Sequence, residues 1–372
     1  MLSVYIGTYT KGPLSGGDGR SQGIYRTTFD PTSGRLSDDV TLAAACDNPS
    51  YLAVHPNGRF LYAVNEVDDF DGQRSGAVSA FAIELSGKLR LVDRRSSHGA
   101  DPCHLSVSRS GRHLFVANYH GANVSTYLIG DDGRLRDAVT VRHQGAGPHP
   151  NQTAPHPHFA AEGPEPGSLF VADLGVDKVV VYRVDQATGA LSAAEPAFAP
   201  LHPGAGPRHL AFHPNGRFVY VNNELASEVT VFSRDARTGT LAEVQTIGTL
   251  PEGHPGKNDT AEIALPPDGR FLYVSNRGHD SIARFSVEAT DGRLSPLGHT
   301  PTGGACPRDF KLSPDGRFLL MENQRSDSIV VFAIDRATGA LGRSESVLST
   351  PTPVCLAFSG EGFPRSEAAT SR

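Results

Sequence analysis

Hydrophobic positions in this chain come in short runs cut by turn residues, and the stretch 207–241 shows the pattern most clearly. Apolar runs at 210–212, 218–221 and 229–232 are separated by His213-Pro214-Asn215-Gly216 and by a polar break at 222–228. A fourth run, 241–247, follows Thr238-Gly239. Runs this short, rich in Val, Phe and Tyr and bounded by Pro, Asn and Gly, predict strands joined by tight turns rather than helices. The stretch therefore predicts a four-stranded antiparallel meander.

The same phrase returns along the whole chain. A proline opens the first strand and an asparagine closes the second: Pro49 to Asn65, Pro102 to Asn118, Pro207 to Asn223, Pro307 to Asn323. Two copies are altered, Pro157 to Asp173 and Ala261-Glu262-Ile263 to Asn276. The closing residues stand 47 to 55 positions apart, the period of a propeller blade. Six copies are complete. A seventh is split, with 4–8, 23–29 and 35–43 as its second to fourth strands and 353–358 as its first. A C-terminal strand that completes an N-terminal blade leaves no open sheet edge. The expected fold is all-β: one seven-bladed β-propeller domain over 1–358, followed by a disordered tail at 359–372.

Composition narrows the partners. With 34 basic and 40 acidic side chains and a net charge of −6, the chain lacks the basic excess of a nucleic-acid binder. No run approaches the ~20 apolar residues of a membrane span, and the N-terminus lacks a secretory pattern. Cys46, Cys103, Cys306 and Cys355 are far apart and form no C-x-x-C, which predicts free thiols. A soluble, cytoplasmic protein is expected, monomeric or weakly self-associating, with no nucleic-acid or membrane partner.

In a propeller blade, the start of the first strand and the link from second to third strand open on one face. The residue after the repeat proline is Val354, Ser50, Cys103, His158, Arg208, Glu262 or Arg308; the residue after the repeat asparagine is Tyr9, Glu66, Tyr119, Leu174, Glu224, Arg277 or Gln324. His158, Arg208, Glu224, Glu262, Arg277 and Arg308 thus converge on one mouth of the channel. Framework positions keep one residue type, whereas these vary and carry charge, a pattern suited to a small anionic ligand. Arg–Glu pairs such as Arg208 with Glu224 also suit a plainer role, holding adjacent blades together. The repeat asparagines are read as Asx-type turn closers, and Gly58-Arg59, Gly216-Arg217, Gly269-Arg270 and Gly316-Arg317 as structural turns on the opposite face. His149, His156 and His158 suggest zinc only superficially, because Pro150, Pro155 and Pro157 exclude an H-x-x-x-H helix. No P-loop, dinucleotide fingerprint or G-x-S-x-G elbow is present.

The phrases PCHLSVS, FVANYHGANVSTY, PHPHFA, FVADLG, GPRHLAFHPNGRFVYVNNELAS, DGRFLYVSNRGHDSI and PRDFKLSPDGRFLL closely resemble the seven-bladed lactonase family. That family includes the bacterial cycloisomerase-type 6-phosphogluconolactonase and fungal carboxy-cis,cis-muconate cyclase. The resemblance runs from Tyr5 to Phe358. It implies lactone chemistry with no metal or organic cofactor, and a catalytic set falling on His158, Arg208, Glu224 and Arg277. The implied reaction is hydrolysis of 6-phosphogluconolactone to 6-phosphogluconate, a step of the pentose phosphate pathway. In that scheme Arg208 and Arg277 stabilise the oxyanion, Glu224 is the base on water and His158 the acid for the leaving oxygen. Glu262, Arg308, His156 and Tyr119 are the candidates for binding substrate. The alternatives are cycloisomerisation of a carboxymuconate and a non-catalytic binding platform.

Overall fold

The computed structural model describes residues 1–12 and 17–360, apart from the Glu345 side chain. Residues 13–16 lie outside the described residues, as do 361–372 of the expected tail. Seven antiparallel sheets are arranged in a ring. The stretch that opened the sequence reading is blade 5, with strands Pro207–Phe212, Phe218–Asn223, Glu228–Arg234 and Leu241–Gly248. Blade 1 is the split one: Pro353–Ser359 pairs antiparallel with Leu2–Thr8 and closes the ring. Ser359, expected in the tail, is the last residue of that strand and pairs with Ser3. The fourth strand of blade 1 comes in two pieces, Arg35–Leu36 and Thr41–Ala45, both paired with Gly23–Asp30.

Second strands are buried on both faces, which is why they read as continuous apolar runs rather than alternating ones. The reason is packing between blades. Seven apolar clusters are found among the described residues, each shared by two neighbouring blades. The closing strand serves two of them, placing Leu356 and Phe358 against blade 7 and Cys355 and Ala357 against blade 2.

Recurrent polar residues stitch the same interfaces. The Gly-Arg turns hold Gly58, Gly216, Gly269 and Gly316 at φ of 71°, 70°, 68° and 67°, a left-handed conformation that glycine adopts without strain. Each following arginine lies over the next aromatic ring, as Arg217 does over Phe218 at 5.1 Å. Arg217 and Arg270 also donate to backbone carbonyls of the next blade. The repeat asparagines are structural too, but they do not close their own turns. Asn65, Asn118, Asn276 and Asn323 donate from Nδ2 to Asp47, Ser97, Thr249 and Thr302 carbonyls, on the connection arriving from the preceding blade. Asn223 instead donates to Thr230 Oγ1.

Candidate active site

First strands line the central channel, and a bulge at their start decides what faces it. In blades 3, 4, 5 and 7 the pairing slips between the repeat proline and the residue two places on. A bulge re-aims side chains, and here two successive residues turn inward. The first of them, including Cys103, His158 and Arg308, meets the mouth of the channel. The second forms a ring beneath, where Tyr51, His104, Phe159 and His209 touch one another across blades.

At the mouth lies a cavity of about 770 Å³ lined by His158, Glu224, Arg277, Arg308 and Tyr119, among others. Arg208 holds its expected register after Pro207 but is buried beside the cavity rather than lining it: its side chain is 4% exposed, and its Nε lies 3.0 Å from Glu224 Oε2. Arg277 Nη2, from the next blade, lies 3.0 Å from the same oxygen. Blade 6 brackets these groups with three consecutive residues. Thr260 O accepts from Arg277, Ala261 O accepts from Arg208 and from Asn222, and Glu262 Oε2 lies 2.6 Å from His209 Nδ1.

Two sequence-based placements change. Thr260, not Ala261, pairs with Asn276 and so stands where the other blades have proline. Glu262 is therefore one position deeper than expected, level with His209, and does not line the mouth. His156 lies behind the cavity wall, stacked flat on Tyr119 with ring centroids 4.3 Å apart. Its Nδ1 is 3.0 Å from Tyr119 O, so it braces Tyr119 rather than facing the cavity. His158 holds its expected register despite the altered repeat around it, since Pro157 pairs with Asp173.

The opposite flank is acidic. Asp47, Glu66, Asp68, Asp69 and Asp101 line it together with Phe70 and two cations, Arg94 and Lys11, the latter 3.0 Å from Asp47. Glu66 is tied down, accepting from Tyr9 Oη at 3.0 Å and from Ser50 Oγ. Arg308 stands between the flanks, 5.2 Å above the Tyr9 ring.

Burial and charge set the protonation states. Burial pushes the Glu224 carboxyl up, but Arg277, Arg208 and Arg308 outweigh it and hold the group below the usual carboxylate range. Burial, reinforced by Arg208, drives His158 well below the ordinary histidine value. At neutral pH the cavity therefore presents an ionised Glu224 and a neutral His158 imidazole. Among the described residues, no group of three His, Cys, Asp or Glu is arranged to hold a metal ion.

The sequence map missed what lies under the mouth: His209, His104, Tyr51, Asp309, Lys311 and Glu322. His209 and Asp309 directly follow mapped residues, so the bulge was the missing signal.

A seven-bladed ring with paired arginines, a carboxylate and an imidazole at one channel mouth defines a propeller with a pocket suited to acyl chemistry. The chain belongs to the seven-bladed β-propeller lactonase family, whose sequence model matches residues 3–358. A 6-phosphogluconolactonase of Bacillus subtilis is 37% identical over 356 residues, covering 95% of this chain and 97% of that protein. A 6-phosphogluconolactonase of Formosa agariphila is 33% identical, covering 82% of this chain and 85% of its own. The solved periplasmic gluconolactonase of Pseudomonas aeruginosa superposes with a TM-score of 0.88 at 36% identity, covering 96% and 99% of the two chains.

Proposed function

We propose that this protein hydrolyses a sugar lactone at the channel mouth, without a metal. By the names of its relatives, 6-phosphogluconolactone is the first candidate and gluconolactone the second. The observation that carries the reading is the pairing of two guanidiniums, from adjacent blades, on one Glu224 oxygen beside a neutral imidazole. Arg208 and Arg277 supply fixed donors for the oxyanion that forms on the lactone carbonyl. The acidic flank suits the sugar hydroxyls, which donate hydrogen bonds, and Arg308 is the cation placed to meet a distal phosphate.

The geometry favours a revision of roles. Glu224, whose Oε2 is taken up by two arginines, serves to hold the guanidiniums side by side. His158 takes the proton of the attacking water as the water oxygen bonds to the carbonyl carbon. The same proton then passes to the ring oxygen as the ring C–O bond breaks. The product acid ionises and releases one proton to solvent. With four unbridged cysteines, the protein fits a reducing compartment such as the cytoplasm. Among the described residues, no helix is long and apolar enough to cross a membrane.

Hydrolysis of both lactones, followed by proton release with EDTA present, tests the reading. Rates at the level of spontaneous opening for both substrates would refute it. A pH profile adds a second check. His158 and Glu224 are both depressed, so their working forms are already present at mildly acidic pH. The rate of hydrolysis above background is expected to show no step between about pH 5.5 and 7.5, where an ordinary histidine titrates. A step centred near the ordinary histidine value contradicts the assignment of His158.

A further inference from the structure

Beneath the mouth lies a buried polar group that the reaction as described does not use. His209 and Glu262 are both buried, and Nδ1 of the histidine is 2.6 Å from the carboxylate. Asp309 and Glu322 lie close by, as does Lys311, whose Nζ is 5.5 Å from the Tyr51 ring centroid. Asp309 is pushed up to about 8 by burial and by the neighbouring Glu262 charge, so it keeps its proton at neutral pH. Glu322, fully buried, is likewise raised by burial and then by Asp309. Burial raises Glu262 as well, but Lys311, Arg208 and the neighbouring Asp309 carboxyl oppose that rise. Glu262 is thus the carboxylate of this group that carries the charge, and its Oε2 faces His209 Nδ1 at 2.6 Å. That fixes the His209 tautomer, leaving a lone pair on Nε2.

That nitrogen is buried and has no hydrogen-bond partner among the described residues, and the same is true of His158 Nδ1. Buried polar atoms are rarely left in this state. The two rings are neighbours, with centroids 5.2 Å apart. The rings meet at 62° and these two nitrogens are not hydrogen-bonded to each other in the structure. A turn of one ring about its Cβ–Cγ bond, aiming nitrogen at nitrogen, would bring them to about 3 Å, a hydrogen-bond distance. One N–H and one lone pair would satisfy both orphans.

We propose that Glu262 and His209 form a positioning relay for His158. In it His158 Nδ1–H donates to His209 Nε2, His209 Nδ1–H donates to Glu262, and His158 Nε2 is left as an acceptor toward the pocket. The inference rests on His158 being the proton carrier of the proposed reaction. A carboxylate acting through a histidine on the working group resembles the carboxylate–histidine pairs that fix tautomers elsewhere. His104, Tyr51, Arg208, Arg308 and Lys311 surround the relay, and it is the Glu262 charge that sets its direction.

Nitrogen NMR of protein labelled at histidine tests it without any substrate. His158 is expected as the Nδ1–H tautomer in the wild type, with that preference lost in Glu262→Gln. An Nε2–H tautomer in the wild type overturns the relay, whether or not the protein is a lactonase. In the hydrolysis assay, Glu262→Gln and His209→Gln are each expected to lower kcat by about 10- to 100-fold with KM unchanged. The same substitutions made on a His158→Ala background are expected to cost nothing further. An equal loss on that background, or a loss confined to KM, also overturns it. Wild-type protein that opens no lactone while showing the Nδ1–H tautomer refutes the proposed reaction and leaves the relay standing. Should Glu262→Gln fail to fold, His209→Gln carries the same comparison.

Discussion

Arg208→Ala is expected to lower kcat for lactone hydrolysis by about 10²- to 10³-fold, the usual cost of removing one fixed oxyanion donor. It is also expected to destabilise the fold. The guanidinium is buried, paired with Glu224 and bonded to the Ala261 carbonyl. Removing one member of a buried ion pair costs about 3–5 kcal/mol, a large share of the roughly 5–15 kcal/mol that a domain has in total. Arg277 still faces Glu224, so the lower end of that range is the expectation. Arg208→Lys keeps the charge but loses the fork, and its kcat is expected to fall with little change in stability. Denaturant melts beside kinetics at matched folded fraction separate the two effects. An Arg208→Ala protein with full kcat contradicts the oxyanion role.

The second large effect is expected at the ring closure. Pro353–Ser359 is buried along its whole length and contributes to the cores on both sides of blade 1. Burying Val354, Leu356 and Phe358 contributes about 1.5–3 kcal/mol each, so a chain ending at Thr352 loses most of a typical folding free energy. It also exposes the edge of Leu2–Thr8, a template for aggregation. The truncated chain is expected to lack a cooperative melt and to aggregate. Leu356→Ala gives the graded version, with an expected loss of about 2–5 kcal/mol and unchanged catalysis per folded molecule. A truncated chain that melts cooperatively near the full-length midpoint contradicts this view of the closure.

Ring and blade count were legible because each blade repeats the same turn chemistry, and because second strands buried on both faces stand out as apolar runs. The mouth was legible where the proline marks the register, as at His158 and Arg308. It failed where that mark was missing. Thr260 replaces the proline in blade 6, and Glu262 was placed one residue too shallow. The lower ring was hidden for another reason. A bulge turns two successive residues inward, and alternation alone assigns only one of them to the channel. His209 was therefore passed over beside Arg208. The orientation of His156 depends on its stacking against Tyr119, a contact between blades that no local pattern encodes. The asparagines were rightly given a structural duty, but their partners lie on a connection about 20 residues earlier in the chain.

The most direct test is hydrolysis of freshly prepared 6-phosphogluconolactone, followed by proton release with EDTA present, for wild type, Glu224→Gln and Arg277→Ala at matched folded fraction. Wild-type turnover orders of magnitude above spontaneous opening, with most of it lost in both variants, is the result expected of a lactonase working at this mouth. Wild-type turnover no faster than spontaneous opening, or variants as active as the wild type, would contradict it.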